Sequence, residues 1–367
     1  MLPTVLALSF LAPATAACLY YAVLTTIGKR RHRAPSHYPA RRIVVLIPAH
    51  NEELSLAASL DSIHAANYPR ELREVVVVAD NCTDATAAVA RQHGATVIER
   101  TDAVRRGKGY ALKLGLEAIL PTKPDAVVIL DADCQVNATT FRVLDAHLAA
   151  GAEVVQCAVV TRNADDGPSG FVGAMGNVFD NLIAAGKDRL GRPVVLRGSG
   201  MCFRRDVLDR FPWDEFGLTE DADYSEKLRR NGVRVRFEAE PLIRSETPAR
   251  AGDLYQQRRR WRAALFGGPG VLWQWVDSKP LVLAQLLATG GVVGLTGQFA
   301  VWFAVLALLT MCVYLRAAWL VGLTRRRLGY VLAAPWIVAR LVAVTLGGFA
   351  GRDLGWQRTR RAAEGSA

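Results

Sequence analysis

The sequence predicts an α/β domain built on a largely parallel sheet with helices on both faces, set between apolar segments that belong in a membrane. Three observations carry this. Short apolar runs alternate with stretches of helical spacing between Arg41 and Trp275. Acidic residues stand directly after two of those runs. Long uncharged stretches lie on either side.

Taken in order, Val5 to Ile27 is apolar and long enough to span a bilayer. Ala14-Thr15-Ala16-Ala17 resembles a signal-peptide cleavage site, but no positive region precedes the run, and apolar residues continue past that string. Lys29-Arg30-Arg31-His32-Arg33 follows it, which places the N-terminus outside and the next segment in the cytosol. Buried strands are expected at Ile43–Ile47 (ended by Pro48), Glu74–Ala79, Ala95–Ile98, Ala126–Leu130 and Val154–Val160. Helices are expected over Glu52–Ala66, Asp84–His93 and Lys108–Leu120. Leu281 to Leu323 is too long for one span and reads as a hairpin, with a turn at Gly290-Gly291 or at Thr296-Gly297-Gln298. Leu328 to Phe349 is apolar but carries Arg340 at its centre, which costs about 2.5–3.5 kcal/mol on insertion scales. Basic residues flank that stretch on both sides, so an interfacial helix on the cytosolic face is expected in preference to a span. The expected organisation is an anchor over 1–27, a cytosolic domain over 41–275, a membrane hairpin over 281–323, an interfacial or membrane helix over 328–350, and a basic tail over 351–367.

Composition narrows the function classes. The chain has 367 residues, 51% hydrophobic and 22% charged, which provides ample apolar material for a core and excludes a disordered chain. The net charge of +11 gathers beside the apolar segments, as in Arg325-Arg326-Arg327 and Arg358-Thr359-Arg360-Arg361. That placement suits a membrane surface and no nucleic acid, because zinc-finger spacings and RNA-binding aromatic motifs are lacking. The six cysteines form no C-x-x-C pair and read as free thiols of a reducing compartment.

Several short strings stand where chemistry is expected, since parallel sheets bind ligands outside the carboxyl ends of their strands. Asp80 follows the second strand; Asp84, four residues on, fits a turn or helix cap as well as a ligand contact. Asp131-Ala132-Asp133 follows the fourth strand. Two ionised carboxylates so close call for a cation between them, and hard oxygens suit Mg²⁺ or Mn²⁺. Arg105-Arg106-Gly107-Lys108-Gly109 opens a helix with the glycines and lysine that approach a diphosphate, or is a solvated basic loop. It lacks the P-loop string of ordinary nucleoside triphosphatases. Thr219-Glu220-Asp221 fits a capped helix start or a general base beside a reacting hydroxyl. Gln257-Arg258-Arg259-Arg260-Trp261 fits a basic interfacial helix, or phosphate and sugar contacts from Arg260 and Trp261.

In this order, these strings resemble the family-2 glycosyltransferases, in particular the membrane-bound branch of cellulose, chitin, hyaluronan and poly-N-acetylglucosamine synthases. The likeness runs from Ile43 to Trp261 through Ile47-Pro48-Ala49-His50-Asn51-Glu52-Glu53, Asp80, Gly107-Lys108-Gly109, Asp131-Ala132-Asp133, Gly198-Ser199-Gly200, Thr219-Glu220-Asp221, and Gln257 with Arg260 and Trp261. The resemblance implies a GT-A fold and an inverting transfer of a sugar, glucose or N-acetylglucosamine, from a UDP-type nucleotide donor to a glycan or lipid hydroxyl at the cytosolic face of the cell membrane. It implies that Asp80, Lys108 and Asp131 contact the donor, with Gln257 and Arg260 on its diphosphate. Asp133, with Asp131, would hold Mg²⁺ or Mn²⁺. Asp221 would be the base, and Gly198, Ser199, Glu220 and Trp261 would face the acceptor. His50 stands where the family often has an aromatic residue. The competing class is a non-catalytic subunit of an envelope polysaccharide assembly, against which stands the presence of every matched carboxylate.

Overall fold

The computed structural model describes residues 1–28, 38–248, 252–257 and 279–347. The chain divides into two compact units: Arg30–Arg162 with Lys187–Glu246, and Met1–Lys29 with Asn163–Gly186 and Thr247–Ala367.

The first unit is a layered α/β domain. Its opening half runs β1 (Ile43–Ala49), α2 (Leu56–His64), β2 (Arg73–Asp80), α3 (Thr86–Gln92), β3 (Thr96–Arg100), α4 (Lys108–Ile119) and β4 (Ala126–Ile129); α1 is the N-terminal helix of the other unit (Leu2–Gly28). The chain continues through β5 (Gln135–Val136), α5 (Thr140–Ala149), β6 (Val154–Thr161) and α6 (Pro168–Arg189), then β7 (Met201–Arg204), α7 (Arg205–Arg210), α8 (Glu220–Arg230) and β8 (Val235–Ser245). The strands form one sheet in the order β3-β2-β1-β4-β7-β6-β8-β5. The β-branched runs of β1, β2 and β4 are buried, as central parallel strands require. Gly115 lets α4 lie flat on them, since a Cβ there would come within 2.4 Å of Leu46 Cδ1.

The sheet departs from the largely parallel one expected. β3, β2, β1 and β4 are parallel, but β7 runs antiparallel to both β4 and β6, and β5 antiparallel to β8. β7 has only Met201-Cys202-Phe203 as an apolar run, directly behind Gly198-Ser199-Gly200, so it reads as loop. β1 also passes through Pro48 to Ala49. Its pairing with β4 stops at Leu46, so the proline lies beyond that ladder while pairing with β2 continues. The helix expected from Glu52 starts later, at Leu56, because 52–55 form a turn.

The second unit gathers α1, most of α6 and three helices labelled α9 (Lys279–Thr296), α10 (Ala300–Val321) and α11 (Arg325–Gly347). Among the described residues, four helices have the length and apolarity to cross a membrane: α1, α9, α10 and α11 over Arg325–Leu346. The break between α9 and α10 falls at 297–299, where Gly297 and Phe299 have φ of 66° and 61°. Gly290, the other expected turn, lies inside α9 under the Phe303 ring. Glycines join α1 to α6: a Cβ on Gly28 would lie 2.1 Å from Leu182 O, and one on Gly186 2.3 Å from Leu24 O. Arg340 sits 5.6 Å and 5.5 Å from the ring centroids of Tyr255 and Trp336.

Candidate active site

The carboxyl ends of β1 and β2 are cross-linked into one platform. Asn51 and Asn81 each turn the chain with positive φ, 53° and 52°. Asn51 Oδ1 accepts the Thr83 N–H at 2.8 Å, and Thr86 Oγ1 accepts the Glu52 N–H at 2.8 Å. His50 Nδ1 lies 2.7 Å from the Asp80 carbonyl oxygen. Asp84 closes the platform by accepting from the N–H groups of Glu53 and Thr86 at 3.2 Å and 3.0 Å. Burial opposes its charge, but the Thr86 and Glu53 hydrogen bonds outweigh it and hold the carboxyl below the usual range. Asp84 is therefore a structural residue of this platform.

Asp80 ends β2 with its side chain almost wholly buried. Arg100, the last residue of β3, donates to Asp80 Oδ1 at 2.6 Å, and Asn81 Nδ2 donates to the same oxygen at 2.9 Å. Arg100 also donates to Asp102 at 3.1 Å and to the Arg105 carbonyl at 2.5 Å, and its guanidinium lies 5.6 Å from the Tyr110 ring centroid. Tyr110 in turn stacks on Phe216 at 4.2 Å.

Lys108 is the hub of the second cluster. It is the first residue of α4, directly after Gly107 with φ 123°. α4 starts deep because Gly109 has no side chain: a Cβ there would lie 2.1 Å from Glu215 O. Lys108 Nζ donates to Asp131 Oδ1 at 2.5 Å and to the Gly198 carbonyl at 2.6 Å, and stands 3.9 Å from Glu220 Oε1. Gly198 has φ 77°, and a Cβ on it would fall 3.3 Å from Lys108 Nζ and 3.4 Å from Asp221 Oδ2. Ser199 Oγ accepts the Asp131 N–H at 3.0 Å, which fixes this loop against the end of β4. The structure thus brings Lys108, Asp131, Gly198, Ser199, Glu220 and Asp221 together.

The electrostatics of the cluster are strained. Burial pushes the Glu220 carboxyl up to about 7 against the pull of Lys108, with Asp221 adding to the rise. Burial likewise raises Asp221 against Lys108. Burial also opposes the Lys108 charge, but Asp131, Glu220 and Asp221 outweigh it and push its pKa up. α8 starts at Glu220 as expected, but Thr219 makes no side-chain cap hydrogen bond, so capping does not account for this string.

Among the described residues, Asp131, Asp133 and Cys134 form a group whose ligand atoms all lie within 4.8 Å of one another. Two carboxylates fit a hard divalent cation, and Asp133 is buried, where an ionised carboxylate needs a counter-charge. Cys134 also accepts a hydrogen bond from Ser199 Oγ at 3.2 Å.

The sequence reading missed Arg100 and Gln156. Buried Gln156 holds the Gly198 loop, donating to Ser199 O and accepting from the Arg197 N–H, each at 2.9 Å. Its signal is a polar residue inside the apolar run of β6; that of Arg100 is a cation at a strand's carboxyl end. Gln257 lies in a helical segment at 252–257 of the other unit, while Arg260 and Trp261 lie outside the described residues.

Residues 39–264 match the family described as Glycosyltransferase like family 2. The chain is 27% identical over 301 residues to a beta-monoglucosyldiacylglycerol synthase of Synechocystis sp., covering 76% of this chain and 61% of that protein. It is 25% identical over 266 residues to a poly-beta-1,6-N-acetyl-D-glucosamine synthase of Staphylococcus epidermidis, covering 68% and 61%. The matched segments thus span less than two thirds of these relatives. Among solved structures, a mannosyltransferase from Pyrobaculum calidifontis in complex with GDP-Man and Mn²⁺ is similar with TM-score 0.62 and 21% identity, over 96% of this chain and 100% of that one.

Proposed function

The chain belongs to glycosyltransferase family 2 and has its GT-A fold, and from that premise we propose that it is an inverting enzyme that moves a sugar from a nucleoside-diphosphate donor to a lipid or glycan hydroxyl at the cytosolic face of a membrane. The observation that carries this is the convergence of Asp131, Lys108, Gly198 and the Glu220–Asp221 pair at the carboxyl edge of the sheet.

The geometry supports a division of labour. A hydroxyl is a weak nucleophile at neutral pH and needs a base within hydrogen-bond reach. Asp221 is that base: its Oδ1 takes the Ala222 N–H at 2.9 Å, while Oδ2 lies over Gly198, whose lack of a side chain leaves room for the acceptor. As the hydroxyl oxygen bonds to the sugar C1, its proton passes to Asp221 and the bond from C1 to the diphosphate breaks. The leaving diphosphate gains charge, and the Lys108 ammonium and the N-terminus of α4 stand on that side to meet it. Asp131 and Asp133 would hold a divalent cation, Mg²⁺ or Mn²⁺, which when bound supplies further positive charge to the diphosphate. Asp80 binds the nucleoside. Gln257, Arg260 and Trp261 remain proposed contacts to the diphosphate and acceptor.

The names of the relatives favour glucose on a diacylglycerol-type lipid, with N-acetylglucosamine on a growing glycan as the second reading. Membranes holding the protein, incubated with radiolabelled nucleotide sugars and with lipid and polymer fractions counted separately, test this. Label from a nucleotide glucose in the lipid fraction is expected, lost with chelator and restored by Mn²⁺ or Mg²⁺. Label in neither fraction with any donor would overturn the proposal.

A further inference from the structure

Helix α10 carries one charged residue, Arg316. It stands five residues before the last residue, Val321, about 7.5 Å of helix rise from that end. Arg325-Arg326-Arg327 follows, so in the orientation proposed above this is the cytosolic end. An arginine near the end of a span usually snorkels, its guanidinium hydrogen-bonded to water or headgroups. Arg316 differs. Its Nη2 is buried and has no hydrogen-bond partner among the described residues. The residue as a whole is half-buried, because it sits on the seam between the exposed stripe Met311, Leu315 and Trp319 and the buried Ala317. The guanidinium is lodged at the edge of the helix packing and is not free in solvent.

A positive charge held there needs a counter-charge. Among the described residues Arg316 forms no ion pair. The acids that face the starts of α11 and α9 already have cations: Asp165 pairs with Arg327 and Asp180 with Lys279, each at 2.7 Å. The remaining source of anions at that depth is the bilayer, whose anionic headgroups line the cytosolic interface. We propose that Arg316 anchors the phosphate of an anionic membrane lipid, of the phosphatidylglycerol class, at the cytosolic edge of α10. The planar guanidinium suits a phosphate. Trp319, one turn on and 64% exposed, belongs in the same headgroup layer. A net-negative headgroup is preferred to a zwitterionic one, because neither Asp165 nor Asp180 is left to meet a quaternary ammonium.

Native mass spectrometry of the full chain in a neutral detergent, titrated with phosphatidylglycerol or phosphatidylcholine and challenged with inorganic phosphate, tests it. Phosphatidylglycerol is expected to bind at least about tenfold tighter than phosphatidylcholine, the worth of one charge-assisted hydrogen bond. Arg316→Gln should lose that preference and Arg316→Lys should keep most of it. Arg325→Gln, at an exposed cation on the next helix, should leave it unchanged. Excess inorganic phosphate should not displace the lipid. Melting curves separate binding from folding: phosphatidylglycerol should raise the midpoint of the native chain and leave that of Arg316→Gln unmoved, while without the lipid the variant should melt no lower than the native chain. Equal affinity of the native chain for the two lipids overturns the assignment without need of any variant. So does an equal loss in Arg316→Gln and Arg325→Gln, which marks a diffuse basic surface, or displacement by inorganic phosphate, which marks a site for free anions.

Discussion

Glu220 is buried beside the Lys108 ammonium and the Asp221 and Asp131 carboxylates, and its raised pKa is a statement about stability. The folded chain holds a proton on it up to about pH 7, whereas an unfolded chain releases it near 4.5. Between those values the folded state binds more protons, so this residue's contribution falls as pH rises through that window. Glu220→Gln removes the titration. The variant should therefore gain thermal stability relative to the native chain at pH 8 and show little difference at pH 5. Melting curves at the two pH values check this; a gain confined to pH 5 would refute the sign. At this scale Asp80, Asp131, Asp133 and Asp221 were legible, because each follows an apolar strand or opens a helix. Arg100 was marked only as a cation at a strand's carboxyl end, since its partner Asp80 lies on the neighbouring strand and that pairing is not visible in the local sequence.

Among the elements, α4 matters most to the site, because its first turn carries Lys108 into the carboxylates. Gly109 permits that approach to the backbone at Glu215. Gly109→Ala would drive a methyl group into Glu215 O, so the helix start or the 215–216 segment must move. Overpacking of this kind costs typically about 1–3 kcal/mol. The displaced ammonium should also reduce turnover more than an equally destabilising change elsewhere in α4, such as Leu116→Ala. Chemical unfolding and turnover on the two variants check this. Parallel strands β1, β2 and β4 were legible from their buried β-branched runs, which have no polar alternation to confuse them. The antiparallel β7 and the two-residue β5 were not: three apolar residues behind glycines, or the single Val136, carry no period, and only the neighbours β4 and β6, or β8, make them strands. Gln156 shows the same limit, a polar residue whose purpose is visible only once the Gly198 loop lies against it.

Among the described residues, four helices qualify as spans by length and apolarity, whereas charge placement favours three spans and an interfacial fourth helix. The two arrangements put the end of the chain on opposite sides. With α11 on the cytosolic surface, reporter fusions after Arg33 and at Ala367 both read cytosol; a non-cytosolic signal at Ala367 would make α11 a span. In the proposed function this GT-A unit transfers a sugar with Asp221 as the base. Asp221→Asn keeps the shape of the side chain and cannot take the proton. The decisive measurement is sugar transfer rate and nucleotide affinity on the same folded variant beside the native chain. Turnover should fall by roughly 10²–10⁴ with nucleotide affinity preserved, because the proposed donor contacts lie on Asp80, Lys108 and Asp131. Near-native turnover in Asp221→Asn would contradict it.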